Sequence, residues 1–419
     1  MKRNYYMVGL ICLVFFVISF VTNILGSLNP EAIKSFNLSL SLSSLLPFAF
    51  FIAYGVMSIP AGMLVEKYKE KKIMIAAFAL SFVGAILFSL IPDYKVFLIS
   101  LFLMGSGMAM LQVAINPLLR ISGEEENFAF FSVVAQLIFG AASFVAPMFL
   151  AYLMTNLTSA ESNSIKSIFT TIVPNNLLWS SLYWFFAVIS LIMLLIIQFS
   201  KFPVVDRKED EKAGTWQTHK NLFKQKTVIL FFIGIFCYVG TEQGVSYWLS
   251  EFLHTYYGYD PITVGASIVG WFWGLMSVGC LLGLVLLKLF DSRKILRGAV
   301  LSAALFLTAS LFTTGEIALV TFPLVGFSLS VMWSIIFSLA LNSVESHHGS
   351  FAGILCTAII GGAVTQLIIG WVGDLFGLRF GMLFIYLTLS YILSVGIWAK
   401  PLINNQTITI KKWIDEKIK

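Results

Sequence analysis

A single acid and a handful of amides stand where a lipid environment would make them costly. Glu242 lies in the apolar run Tyr238-Val-Gly-Thr-Glu-Gln-Gly-Val-Ser-Tyr-Trp248. A carboxylate at the centre of a spanning helix costs about 2.5–3.5 kcal/mol on insertion scales, so it is expected to face a bundle interior or a cavity. Tyr238 and Ser246 fall one helical turn to either side of it. There it could accept hydrogen bonds from a solute or carry a proton; the plainer alternative is an acid that locks its helix to a neighbour. A second cluster is Gly105, Met108, Gln112 and Asn116, whose spacing places them on one helix face. Two amides one turn apart each donate and accept, which suits sugar hydroxyls, although amides also tie membrane helices together. Asn23, Gln136, Gln243, Asn342 and Gln366 are further amides inside apolar runs. Tyr54, Tyr247, Trp248, Trp271 and Trp273 could stack on sugar rings, or serve as packing and interface aromatics.

The elements that must hold these residues are membrane helices. Of 419 residues, 58% are hydrophobic and 11% charged, against about a quarter charged in soluble domains. A spanning helix needs roughly 20 apolar residues. Twelve segments qualify: 6–28, 42–65, 73–91, 96–119, 128–154, 177–199, 228–253, 263–289, 296–314, 317–341, 351–375 and 380–399. With the N-terminus in the cytoplasm, alternation puts 23 of the 27 basic residues on the cytoplasmic side, leaving Lys34, Lys95, Lys166 and Arg379 opposite. Both termini are therefore expected on the cytoplasmic side of an inner membrane. The first run reads as a helix that stays in place, with no cleavage site after it.

The fold class expected is all-α, with twelve transmembrane helices in two pseudo-symmetric six-helix bundles. The bundles are 1–199 and 228–399, joined by a cytoplasmic linker at 200–227 and followed by a cytoplasmic tail at 400–419. An offset of 219 residues relates the halves: Tyr54-Gly55 to Trp273-Gly274, Thr22-Asn23 to Thr241-Glu242, Ser27 to Ser246 and Gly107 to Gly326. Parallel repeats of this kind place a solute site between them, near the bilayer midplane.

Between helices two and three runs Gly62-Met-Leu-Val-Glu66-Lys67-Tyr-Lys-Glu-Lys71-Lys72, echoed by Gly370-Trp-Val-Gly-Asp374 through Arg379. A small residue, an acid four on and then basic residues suit a clasp that opens and closes. Gly62, Glu66, Lys67, Lys71, Asp374 and Arg379 are therefore expected to be gating elements, not solute contacts. Cys12, Cys237, Cys280 and Cys356 have no pairing or metal spacing, and the four histidines make no metal site. No nucleophile elbow or phosphate loop appears, so neither an enzyme, a metal nor a cofactor is expected. The net charge of +6 sits in short gaps between apolar runs, which argues against nucleic acid.

The Gly62–Lys72 loop and the two six-helix halves resemble the major facilitator superfamily, with Glu66 and Lys69 as departures. Gln112-Val-Ala-Ile-Asn116-Pro117, Phe20-Val-Thr-Asn23-Ile-Leu and Tyr238-Val-Gly-Thr-Glu242 resemble the fucose–hexose–proton symporter family within it, on the glucose/galactose side. That resemblance implies monosaccharide uptake into bacteria by alternating access, often driven by protons; coupling to sodium and facilitative transport stay open, and a monomer in the bilayer is expected. The resemblance carries over Asn23 and Gln112 as candidate sugar contacts, which join Asn116, Gln136, Gln243, Tyr54, Trp273 and Glu242, the candidates read from residue type and position. Asn23 stands where family members typically carry an acid, and Gln112 where the fucose-transporting type carries one but glucose/galactose-type members do not, which leaves Glu242 as the candidate proton carrier. Two alternatives remain: an exporter of amphipathic compounds on the same fold, and a sensor that binds solute without moving it.

Overall fold

The architecture was taken from a computed structural model, which describes residues 5–122, 128–159, 164–203 and 214–402. These residues form helices and connecting turns, with no strand among them. Lipid cannot hydrogen-bond a peptide group, so each span must satisfy its backbone internally, and an apolar helix does so. Twelve helices are long and apolar enough to cross a membrane. They are α1 (Tyr5–Phe36), α2 (Leu40–Tyr68), α3 (Glu70–Leu90), α4 (Tyr94–Ile115), α5 (Val134–Thr158), α6 (Asn175–Phe199), α7 (Lys226–Tyr257), α8 (Pro261–Leu289), α9 (Ser292–Phe312), α10 (Gly315–Leu341), α11 (His348–Phe376) and α12 (Leu378–Trp398).

All twelve expected spans are found, most of them extended by a few residues. The largest difference is α1, which continues past Leu28 to Phe36. Its regular helix ends at Asn23 and restarts at Leu25. Polar Ser27, Asn29 and Glu31 make that second stretch look like a loop in a hydropathy scan, but Ser27 and Asn29 are buried against other helices. Two short helices were not anticipated, Ser164–Ile172 and Trp216–Leu222. The second turns part of the expected linker into a capped helix: the Thr215 hydroxyl accepts from the Thr218 backbone while the Thr218 side chain accepts from Thr215. The charged run 206–212 and the tail from 403 onward lie outside the described residues.

Two glycines make the internal repeat visible. A Cβ on Gly105 of α4 would lie 2.2 Å from the Phe50 carbonyl oxygen of α2. A Cβ on Gly326 of α10 would lie 2.2 Å from the Phe272 carbonyl oxygen of α8. The α2–α4 crossing is thus repeated as α8–α10. The 219-residue offset pairs Gly326 with Gly107 instead; Gly107 packs on Ala77 and Ser81 of α3, so here the true correspondence is about two residues longer.

The ends of the spans define two faces. The basic face carries Lys67, Lys69, Lys71, Lys72, Arg293, Lys294 and Arg297; the opposite face carries Lys34, Lys95 and Arg379. Toward the opposite face, helices of the first six close onto helices of the second six. A Cβ on Gly26 of α1 would come 2.3 Å from the Ser246 carbonyl oxygen of α7. Gly370 of α11 sits against Leu40 and Ser44 of α2, and Gly274 of α8 against Phe144 of α5. Small residues let these helices approach to backbone contact, which is how dispersion forces hold helices together in lipid.

Candidate functional site

Between these closed contacts and the basic face lies a cavity of about 350 Å3. Ligand sites of this type run from about 300 to 1,000 Å3, so the space suits one small solute. Its walls come from α1 (Phe15, Ile18, Thr22, Asn23), α2 (Phe51, Tyr54), α4 (Gln112), α5 (Gln136 to Gly140), α7 (Tyr238, Val239, Glu242, Gln243), α8 (Trp273 to Leu287), α10 (Ser330 to Ser334) and α11 (Ile359).

Seven of the eight candidate sugar contacts line this one space: Asn23, Tyr54, Gln112, Gln136, Glu242, Gln243 and Trp273. The eighth is Asn116, whose side chain lies outside the described residues. The seven come from six different helices, which no local pattern could have guaranteed.

The amides differ in what they have left to offer. The Asn23 Nδ2 group donates to the Ser143 hydroxyl at 2.8 Å, and Gln243 Nε2 makes a long 3.5 Å approach to Asn23 Oδ1. Gln366 Nε2 in turn donates to the Gln243 carbonyl at 2.6 Å. Asn23 and Gln366 therefore serve partly as cross-helix ties, binding α5, α1, α7 and α11 into one polar chain beneath the cavity. Gln136 is exposed to the cavity and Gln112 half-exposed. Tyr54, buried, faces Thr22 with its hydroxyl.

Glu242 is half-exposed and lines the cavity. Its carboxylate lies beside the Tyr238 phenol, one turn away, and near the Cys280 thiol of α8. Ser246, expected on the same face, does not join it; its backbone carbonyl packs under Gly26 of α1, because the helix face turns into the α1–α7 contact one turn farther along. Trp273 is 2% exposed, and its Nε1–H has no acceptor among the described residues. A buried donor without a partner loses its hydration for nothing in return, and this one is sealed within the protein and not presented to the cavity.

Several lining residues escaped the sequence reading. Three helix breaks converge on the cavity: Asn23–Ile24 in α1, Ser330–Val331 in α10 and the 3-10 turn Ala358–Ile360 in α11. At the α10 break the Ser330 carbonyl is taken up by the Cys280 thiol at 3.3 Å. Irregular backbone is tolerated at membrane depth where it is buried in protein or lines a cavity. Trp333, just past the α10 break, lies over Phe337 with centroids 5.7 Å apart and tilts against Tyr238 at 5.9 Å. The Ser330–Ser334 spacing around Trp333 was the available signal, but without knowledge of the break it reads as ordinary helix.

The other aromatics and amides go elsewhere. Tyr247 donates to the Ser43 carbonyl at 2.8 Å, Trp248 is buried, and Trp271 is 48% exposed with its edge on Phe144. Asn342 sits at the basic face, where its carbonyl accepts from Leu402.

The gating candidates separate as well. Asp374 accepts from the backbone N–H groups of Leu40 and Ser41, both at 2.8 Å, and from the Ser41 hydroxyl. It thus caps the N-terminus of α2 from α11, across the two sets of helices. Arg379 stacks on Tyr256 at 4.4 Å, and its backbone N–H donates to the Tyr256 hydroxyl. Lys71 donates to the carbonyls of Gln198 and Ser200, so it caps the end of α6 within the first six helices. Lys67 stands over Tyr68 at 5.1 Å, Glu66 lies in the last turn of α2 and Gly62 is buried on that helix.

Residues 11–359 match the family model of the Major Facilitator Superfamily. The chain belongs to that superfamily. Its members are transporters, not enzymes. The chain is 32% identical over 411 residues to a glucose/galactose transporter of Brucella abortus, covering 94% of this chain and 95% of the relative. It is 25% identical to the L-fucose-proton symporter of Escherichia coli, covering 88% and 87%. The crystal structure of the E. coli fucose:proton symporter FucP matches the fold with a TM-score of 0.68 at 24% identity, over 94% of this chain and 98% of that one.

Proposed function

We propose that the protein carries a monosaccharide across the membrane by alternating access, coupled to a proton held by Glu242. The observation that carries this reading is the convergence of Gln112, Gln136, Gln243 and Glu242 with Tyr54, Trp273 and Trp333 on one cavity between the two sets of six helices. Amides and an acid bond to hydroxyls, and rings pack on the apolar faces of a pyranose. Relatives named for glucose, galactose and L-fucose support a hexose or a related sugar. The basic-residue asymmetry supports a cytoplasmic basic face, with both termini inside a bacterial inner membrane. The cavity wall reaches Leu284 and Leu287 near that face while the opposite face is clasped shut; this supports an inward-facing state and an import cycle in which residues 1–199 and 228–399 rock about the site. The cavity is complete within one chain, which supports a working monomer.

A second reading has one observation in its favour. The end of the cavity nearest the basic face is apolar, with Phe15, Leu281, Leu284 and Leu287, and would suit an amphipathic cargo moving outward. Uptake in proteoliposomes separates the two. Saturable uptake of a hexose or fucose, accelerated by an inward proton gradient and losing that acceleration in Glu242→Gln, is the expected result. Gradient-driven uptake unchanged in Glu242→Gln would remove Glu242 as the coupling group.

A further inference from the structure

A second cavity, of about 170 Å3, opens at the basic ends of α9 and α12, two helices that do not line the sugar cavity. It is lined by Asp291, Arg293, Lys294, Arg297, Gly396 and Ile397. Its charges do not cancel. Asp291 caps α9 by accepting from the Arg293 backbone at 2.8 Å and pairs with the Arg293 guanidinium at 3.0 Å. That guanidinium beside it holds the Asp291 carboxyl below the usual carboxylate range, so this acid is committed to Arg293. Lys294 and Arg297 have no carboxylate partner among the described residues. Arg297 spends only its Nε, on the Arg293 carbonyl at 3.4 Å, which leaves the outer donors of a planar fork suited to a phosphate.

The place of Arg297 is prepared. A Cβ on Gly396 would come 2.8 Å from Arg297 Cγ, so glycine on α12 is what lets the arginine stem lie across the helix. Beyond the cations the surface changes character in one direction. Leu301 and Leu305 follow Arg297 at four-residue steps and share its face of α9. They are 60% and 66% exposed, and Ile397 beside the pocket is 68% exposed. A dicationic pocket therefore runs straight into an apolar stripe about 6 Å along the helix. A soluble phosphate ester would use the first and gain nothing from the second.

We propose that this pocket holds the phosphate of an anionic phospholipid, with Lys294 and Arg297 on the headgroup and an acyl chain along Leu301 and Leu305. Each basic group near an anionic lipid surface contributes about fivefold in affinity, so the two together contribute about thirtyfold. The test is native mass spectrometry of the purified full-length protein titrated with phosphatidylglycerol, phosphatidylcholine or inorganic phosphate. Wild type is expected to retain one phosphatidylglycerol in preference to phosphatidylcholine. The double variant Lys294→Gln, Arg297→Gln should bind it about thirtyfold more weakly. Gly396→Leu, which fills the pocket and keeps both charges, should also lose it, while the distant Lys224→Gln should not. Equal retention of phosphatidylglycerol by wild type, the double variant and Gly396→Leu would overturn the site. Displacement of the lipid by inorganic phosphate at equal concentration would overturn a lipid as its ligand.

Discussion

Replacing Asp374 with alanine should release the clasp that holds the non-basic face shut. In the structure this carboxylate takes two backbone N–H groups and one hydroxyl at the start of α2. A side chain that caps a helix N-terminus contributes about 1 kcal/mol, and a negative charge placed there adds 0.3–1 kcal/mol when exposed. Asp374 is exposed, so water recovers part of both when it is removed. The net loss is about 1–2 kcal/mol, borne by the closed state alone, because an open clasp makes none of these bonds. The open-to-closed ratio should rise about five- to thirtyfold. Ser27 adjoins the Gly26–Ser246 contact of the same closed face and is 2% exposed. In a background with Cys12, Cys237, Cys280 and Cys356 replaced, a Ser27→Cys thiol should react with a maleimide about five- to thirtyfold faster when Asp374→Ala is added. Asp374→Asn keeps an acceptor without the charge and should fall between. An unchanged labelling rate in Asp374→Ala would refute the clasp, and a slower one would reverse its sign.

Other outcomes follow from the same geometry. Gly26→Leu places a side chain where the Ser246 carbonyl already sits; the opposite face should no longer close, and transport in proteoliposomes should drop more than tenfold while the protein still purifies as a monodisperse species. Trp273→Phe keeps a ring against the cavity and deletes the buried, unpartnered Nε1–H; half-saturation for the sugar should stay within about twofold and thermal stability should be unchanged or higher, because an unsatisfied buried donor is lost. The Asp291–Arg293 pair is largely exposed and should contribute under about 1 kcal/mol. Because the folded carboxyl is held below its usual range, that contribution is present above the unfolded-state pKa and is lost as pH falls through the folded value; in thermal melts the Asp291→Asn difference should be full at pH 7 and shrink as the pH is taken below the ordinary carboxylate range.

Much of the fold was legible because lipid leaves few choices. A run of twenty apolar residues forms a helix in a bilayer, and the polar gaps between the runs mark where each span ends. The second part of α1 was missed because burial there is polar: Ser43 donates to Asn29, and Tyr247 to the Ser43 carbonyl, bonds a hydropathy scan cannot see. The site was legible where an isolated residue broke an apolar run, as Glu242, Gln112 and Gln243 do. It was hidden where several small contributions meet only in three dimensions, as at the Ser330–Val331 break and Trp333. Asn23 shows the limit of residue type as a guide: it lines the cavity, yet its Nδ2 is bonded to Ser143. The clasp motifs divided similarly, since Asp374 of the second motif joins the two sets of helices while Lys71 of the first caps α6 in its own set.

Sugar counterflow tests the central claim most directly, because it needs the cavity and alternating access but no coupling ion. Proteoliposomes preloaded with unlabelled sugar are diluted into trace labelled sugar. Transient accumulation of glucose, galactose or fucose by wild type, abolished in Gly26→Leu and retained in Glu242→Gln, is the predicted result. Absence of counterflow for every hexose and for fucose, by protein that is folded and inserted, would contradict a monosaccharide site.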